Sequence, residues 1–184
     1  MSVYANAIRV DKTSTPNPIS FYGASKLNGE FQTKLLLEHC NINYTIFRLF
    51  ATYGSGQDLK NLHQGILSIY LSQILSNNEV KLAGLKTRIR ELIHVDDVIN
   101  ALILGLKTET NNQIYNVSNN EFITPEIIIN EISSQLNKKV NIIELKWYVG
   151  DQTFITSKWS LLHNLGWRPR YNLKQGVKEF LNNM

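Results

Sequence analysis

The sequence has one cysteine, four prolines and no long apolar run, and these shortages exclude several classes of protein. The single Cys40 cannot form an intramolecular disulfide, which argues against a disulfide-stabilised secreted scaffold. The longest apolar stretches, such as EIIINEI at 126–132, are interrupted well short of a membrane span. The first ten residues, MSVYANAIRV, lack the basic and then apolar pattern of a signal peptide. The expectation is a cytosolic protein without a membrane partner.

Charge and titratable residues also limit the possible partners. The formal net charge of +4 would suit an anionic ligand, but lysines and arginines are scattered and form no basic stripe with aromatic residues. No nucleic-acid partner is therefore expected. The histidines show no metal-ligand spacing, so no metal is expected either. His94 is predicted to be a buried histidine with a satisfied partner, and Asp96 and Asp97 to cap the helix that follows them.

Hydrophobic patterns alternate between strands and helices along the 184 residues, 43% of which are hydrophobic. Four apolar or β-branched runs predict strands, and six amphipathic stretches predict helices. This alternation is typical of an α/β fold with a mostly parallel sheet. The predicted strands are 44–50, 91–95, 114–118 and 140–145, and the predicted helices are 22–39, 64–77, 97–107, 124–136, 157–164 and 173–183.

Tyr22 and Lys26 lie four residues apart in FYGASKLNGE, directly after the turn-forming stretch TSTPNPIS. Ser20 is a suitable N-cap, and positions i and i+4 of a helix share a face. An ammonium near a phenol stabilises the phenolate, and such a tyrosine can act as a general base towards a hydroxyl. The spacing alone is a weak signal, because a half-buried tyrosine beside a solvated lysine shows the same pattern.

Further motifs occur around this pair in a fixed order: SVYA, PNPISFYGASKLNGE, IFRLFATYGSGQ, TRIRELIHVDDVINALILGL, QIYNVSNN and SKWSLLHNLGWRPRYNLKQGVKEFL. Together they resemble the extended short-chain dehydrogenase/reductase family of NAD-dependent sugar-nucleotide epimerases and dehydratases, most closely the UDP-glucose 4-epimerase type. The resemblance covers essentially the whole chain. It implies the C-terminal part of an extended Rossmann-type α/β fold, with residues 1–60 carrying the catalytic helix. Residues 61–184 would form a smaller substrate-binding lobe, with 114–118 returning to the sheet.

The resemblance also implies roles for four residues. Tyr22 matches the catalytic tyrosine that takes a proton from the sugar hydroxyl, and Lys26 matches the lysine that binds the nicotinamide ribose. Phe50 matches a segment against the nicotinamide. Arg90 matches the arginine that binds the diphosphate, in keeping with the planar donor fork of a guanidinium. NAD is the implied cofactor and a nucleotide sugar the implied substrate.

Several positions depart from the family pattern. None of the glycines forms the G-x-x-G-x-x-G loop that binds the NAD pyrophosphate, so a segment preceding this sequence is expected to carry it, together with the catalytic Ser or Thr. Ala51, Ala83 and Tyr148 replace an asparagine, an aromatic residue and an arginine that face the nucleotide sugar in the family. Ser2 replaces the glutamate of the dehydratases, which favours epimerase or reductase chemistry over elimination.

The sequence therefore predicts an NAD-dependent epimerase of a nucleotide sugar, which oxidises it to a keto sugar and reduces it again. The chain alone is expected to be inactive. Two alternatives stay open: a catalytically inactive remnant that serves as a binding or dimerisation module, and a reductase or dehydratase of the same family. The expected partners are a second copy of the chain or a separate NAD-binding N-terminal half.

Overall fold

Strands and helices alternate along residues 1–63, 65–146, 152–158 and 161–184, which the computed structural model describes. The helices in this part of the chain are α1 (Phe21–His39), α2 (Ile66–Asn77), α3 (Val95–Leu104), α4 (Pro125–Leu136) and α5 (Leu173–Asn182). The strands are β1 (Ala7–Val10), β2 (Thr45–Leu49), β3 (Ala51–Tyr53), β4 (Glu79–Ala83), β5 (Leu92–His94), β6 (Gln113–Val117), β7 (Asn141–Leu145) and β8 (Ile155–Ser157).

The strands associate in four parallel pairs, β1 with β8, β2 with β6, β3 with β5, and β4 with β7. In the β2–β6 pair, Thr45 lies opposite Gln113 and Leu49 opposite Val117. The two strands of each pair are separated in sequence by at least one helix, as is usual for parallel strands, which need a long crossover connection. The prediction of an α/β fold with parallel strands is confirmed.

The chain changes partner strands between Phe50 and Ala51. The Phe50 amide donates to the Val117 carbonyl at 3.0 Å, whereas the Ala51 amide donates to the Glu91 carbonyl at 3.2 Å. The segment that runs from β2 into β3 therefore stops pairing with β6 at Phe50 and begins pairing with the β5 region at Ala51. Because ligands of open parallel sheets bind beyond the carboxyl ends of strands where the chain diverges, this point is a natural place for a cleft.

Apolar side chains are buried in three clusters. The largest joins α2, β4, α4 and α5, and it includes Tyr53 of β3. A second lies between the β2–β6 pair and α3, where Trp167 donates through Nε1 to the Asp97 carbonyl at 3.1 Å. The third cluster surrounds Tyr4 and Phe50. In the described residues, no helix has both the length and the apolar character needed to cross a bilayer.

Two local predictions were wrong. N-capping by Asp96 or Asp97 was wrong, because the His94 side chain caps α3 by accepting from the Asp96 amide. Both aspartates do lie in the first turn, where the helix dipole favours them, as expected. The predicted helix at 157–164 is also wrong, because residues up to Ser157 belong to β8 and 161–165 form a short 3₁₀ turn. β8 forms because it pairs with β1 and because the Glu91 carboxylate binds the Ser157 amide and hydroxyl at 2.6 and 2.8 Å.

Candidate active site

A cleft of about 680 Å³ opens where β2 ends and the chain changes partner strands. Five parts of the chain form its walls: residues 1–2, the first turn of α1, residues 49–57, the start of α2, and the residues on either side of β5. The cleft brings together three of the four predicted site residues, Tyr22, Phe50 and Arg90. Ser2, Ala51, Ser55 and Gln57 also line it.

Tyr22 is held in the cleft by the way α1 begins. Ser20 caps the helix, as the sequence predicted, by accepting from the Gly23 amide at 3.1 Å. A Cβ at Gly23 would lie 2.2 Å from the Ser2 carbonyl oxygen, so only glycine allows the first turn to pack against residue 2. Tyr22 is 62% exposed, which leaves its side chain accessible to a ligand.

Lys26 lies on the same side of α1 as Tyr22, as the spacing predicts. Its Nζ is 5.3 Å from the centroid of the Tyr22 ring, a cation–π distance. Both residues line a second cleft of about 310 Å³, which Glu30 and Arg48 also line. Tyr22 therefore separates two clefts, one containing Lys26 and the other Phe50 and Arg90.

Arg90 is a buried cation in the wall of the larger cleft, with 5% of its surface exposed. Its main chain pairs with Ile123, since each amide donates to the other residue's carbonyl at 2.8 and 2.9 Å. Its guanidinium donates to the carbonyls of Ile89, at 3.0 Å, and Gln152. These bonds fix the fork in one orientation, which suits recognition of an anionic group.

The start of α2 adds a second feature that favours an anion. Gly65 is the N-cap, with φ at +83°, and it lines the cleft together with Ile66. Glycine supplies no side chain to bind the first amides of the helix. Such amides carry the positive end of the helix dipole and attract anions.

Of the three positions that depart from the family pattern in the nucleotide-sugar site, the structure describes two, and only one of these lines the cleft. Ala51 lines the cleft. Ala83 ends β4, where its carbonyl accepts from Arg88 Nη1 at 2.8 Å. Tyr148 lies outside the described residues.

His94 is a buried histidine with satisfied partners, as predicted. Its side chain is fully buried, stacks on Tyr171 at 4.0 Å between ring centroids, and bonds through Nε2 to Glu179 Oε2 at 2.9 Å. Glu179, which no motif in the sequence indicated, also accepts from Ser55 Oγ at 2.9 and 3.0 Å. Ligand-type atoms of His94, Asp96 and Glu179 lie within 4.8 Å of one another, but hydrogen bonds within the protein already account for this arrangement.

Burial changes the ionisation of three groups near the site. Burial raises the pKa of Glu91, although hydrogen bonds from Ser157 oppose the shift. The pKa of Asp97 is also raised by burial, despite hydrogen bonds from the Arg170 and Tyr171 amides. The pKa of Tyr53 rises through burial and through the nearby Glu121 carboxylate, so Tyr53 stays a neutral phenol.

Two curated relatives illustrate what the chain is similar to. A curated protein of Methanocaldococcus jannaschii, described as a putative UDP-glucose 4-epimerase, is 30% identical over 96% of this chain and 57% of its own length. The dTDP-4-dehydro-6-deoxyglucose reductase of Escherichia coli is 27% identical over 87% of this chain and 51% of its own. The chain thus spans about half the length of the curated relatives that it matches.

A solved structure extends the comparison to the fold. The UDP-glucose 4-epimerase of Thermus thermophilus in complex with NAD superposes with a TM-score of 0.86 at 24% identity, over all of this chain and 62% of that chain. This likeness shows that the α/β fold is of the Rossmann type found in epimerases. Residues 2–118 match the model of the NAD dependent epimerase/dehydratase family, and the chain belongs to that family.

Proposed function

We propose that this chain provides the catalytic tyrosine–lysine pair and the sugar-nucleotide cleft of an NAD-dependent epimerase acting on a nucleotide sugar. The observation that carries the proposal is that Tyr22, Phe50 and Arg90 line one cleft at the carboxyl end of β2. The name of the M. jannaschii relative makes UDP-glucose the first substrate to test.

The chain's own residues supply the proton transfer and the binding of the substrate. Tyr22, as phenolate, accepts the proton of a sugar hydroxyl during oxidation and returns it during reduction. The Lys26 ammonium lies 5.3 Å from the centroid of the Tyr22 ring, beside the group that transfers the proton. Arg90 and the first turn of α2 hold the diphosphate at the opposite wall.

The residues present fit one end of NAD. Tyr22 and Lys26 line the smaller cleft and offer hydroxyl and ammonium donors to a ribose, while Phe50, whose side chain is buried in the core, forms part of the wall of the adjoining cleft. When bound, NAD supplies the redox chemistry that oxidises the sugar carbon to a keto sugar and reduces it again. The sequence contains no G-x-x-G-x-x-G loop for the pyrophosphate, so we expect weak NAD binding by this chain alone.

Two other functions have an observation in their favour. The E. coli relative is a reductase. Ser2 lines the cleft at the position where dehydratases of the family are expected to carry a glutamate, and a serine there is compatible with reduction as well as epimerisation. Ala51 in the cleft wall favours an inactive remnant that binds a partner. The same proposal includes three further points. The chain divides into two lobes at residue 60, it is located in the cytosol, and it assembles as a homodimer or with a separate NAD-binding segment.

The test measures substrate binding and turnover separately. UDP-glucose is titrated into the wild-type chain and into Arg90→Lys by calorimetry, with Arg170→Lys as the control because Arg170 is exposed. Loss of the guanidinium fork should weaken binding about tenfold or more, while the control binds as wild type. Turnover is followed by NMR after addition of NAD and an NAD-binding N-terminal segment from a family member. No binding of UDP-glucose would refute the proposed site, whereas binding without turnover would favour the inactive remnant.

A further inference from the structure

The turn formed by residues 54–57, here called the cleft turn, is one wall of the proposed sugar-nucleotide cleft. It contains Gly54 at φ +143° and Gly56 at φ +90°, conformations that other residues rarely adopt. A segment with two glycines in four residues loses much conformational entropy when it is ordered. Contacts from outside the turn must therefore hold it in place if it is to form a fixed wall.

The strongest such contact comes from the C-terminal helix. The Ser55 hydroxyl lies 2.9 and 3.0 Å from the two carboxylate oxygens of Glu179, which is 124 residues further along the chain. The Glu179 side chain is 22% exposed. A hydrogen bond to a charged group shielded from water is among the stronger ones in proteins.

The Glu179 carboxylate is itself held from two sides. His94 Nδ1 accepts from the Asp96 amide at 3.3 Å, so the hydrogen-bond pattern places a ring proton on Nε2. Nε2 then donates to Glu179 Oε2 at 2.9 Å. On the other side, Asn183 Nδ2 donates to Glu179 Oε1 at 2.9 Å.

α5 is also packed tightly against the strand that leads into the cleft turn. A Cβ at Gly176 would lie 1.9 Å from the Tyr53 hydroxyl, so glycine is needed for the helix to approach β3. Gly176 and Glu179 are three residues apart and lie on the same face of α5. One face of the helix therefore contacts both the end of β3 and the turn that follows.

We infer that Glu179 is a positioning residue for the sugar-nucleotide cleft, acting through Ser55 to fix the cleft turn as a rigid wall. The inference deepens the proposed function and rests on it for the identity of the ligand. Glu179 holds the Ser55 hydroxyl, and so links the C-terminal helix to the binding site.

The experiment compares Glu179→Ala and Ser55→Ala with Ser55→Thr, which keeps the hydroxyl, and with Lys178→Ala, an exposed neighbour on α5. Hydrogen exchange is measured by mass spectrometry for the peptide that contains 54–57, and UDP-glucose affinity by calorimetry. Both alanine variants should exchange about tenfold faster or more in this peptide and bind UDP-glucose more weakly. Lys178→Ala should resemble wild type, and Ser55→Thr, which keeps the hydroxyl, should exchange more slowly than Ser55→Ala.

The double variant tests whether Glu179 acts through Ser55. If it does, Ser55→Ala with Glu179→Ala should be no worse than Glu179→Ala alone, since contacting residues are not additive. Unchanged exchange at 54–57 in Glu179→Ala would overturn the inference, even if the protein melts at a lower temperature. If the wild-type chain fails to bind UDP-glucose, the proposed function fails, but the exchange data still decide whether Glu179 fixes the turn.

Discussion

The Arg48 guanidinium of β2 binds the Glu30 carboxylate of α1 through two parallel hydrogen bonds, Nε to Oε1 at 2.9 Å and Nη2 to Oε2 at 2.7 Å. Both side chains are largely buried, with 5% and 12% of their surfaces exposed. Arg48 Nη1 also donates to the Tyr4 hydroxyl at 2.7 Å. Since Gly23 is the only buried residue of α1, this ion pair is a main attachment of that helix to the sheet.

Glu30→Ala should therefore destabilise the protein strongly. The change leaves the Arg48 charge buried without its carboxylate, and removing one partner of a buried pair costs about 3–5 kcal/mol. The free energy of unfolding is measured by urea denaturation. Glu144→Ala is the control, because its pair with Lys86 is half exposed and worth about 0–1 kcal/mol. Equal losses in the two variants would show that the Glu30–Arg48 pair has no special role.

Tyr22→Phe should remove most turnover while it leaves nucleotide-sugar binding nearly intact. The ring stays in the cleft wall, but the hydroxyl that transfers the proton is lost, which lowers the rate by about 10²–10⁴. Turnover is measured by NMR with NAD and the added NAD-binding segment, and binding by calorimetry. Lys26→Ala should lower both the rate and the affinity for NAD. Near-normal turnover in Tyr22→Phe would show that another group transfers the proton.

Local signals in the sequence were sufficient to predict most of the helices and the Tyr22–Lys26 pair. Ser20 caps α1 and the i, i+4 spacing fixes which residues share a face, so neither feature depends on distant contacts. The strands missed by the prediction are β1, β3, β4 and β8, of three to five residues each. Arg9 interrupts β1 with φ at +58°, and so short an irregular strand leaves no periodic pattern.

The hydrogen bonds that join Ser55, Glu179 and His94 could not be predicted, because these three residues are far apart in sequence. Glu179 is separated from His94 by 85 residues, and nothing near it in the chain marks it as a partner of a buried histidine. The partners of Asp97 could not be predicted for the same reason. Its position suggested a helix cap, but its carboxylate accepts from the amides of Arg170 and Tyr171, more than 70 residues away.

Glu91→Gln should change how stability depends on pH. Burial raises the pKa of Glu91 in the folded protein above its unfolded value, so the folded state binds more protons between the two values. This residue's contribution to the free energy of unfolding therefore falls as pH rises through that window and recovers as pH falls. Urea unfolding followed from about pH 4, near the unfolded pKa of a glutamate, up to neutral pH should show a smaller decline with rising pH for Glu91→Gln than for wild type. Parallel curves for the two proteins would show that Glu91 titrates alike in the folded and unfolded states.

The exposed face of α1 should drive self-association of the chain. Phe31, Leu35 and Leu36 are 56%, 71% and 63% exposed, and β2 is paired along one edge with β6. An apolar helix face favours association, and so does a strand edge that is unpaired within the described residues, as the second edge of β2 is. Each large apolar side chain gains about 1.5–3 kcal/mol on full burial, which is substantial against a total stability of about 5–15 kcal/mol.

We therefore expect the wild-type chain to be dimeric or larger in light scattering, with α1 in the interface. Phe31→Glu with Leu35→Glu should shift it towards monomer, because two carboxylates would have to lose their hydration to enter the interface. Leu106→Glu is the matched control, since Leu106 is 86% exposed but follows α3. A monodisperse wild-type monomer with one sharp cooperative melt would contradict the prediction. So would association that is equally strong in the α1 variant, because the interface would then lie on another surface.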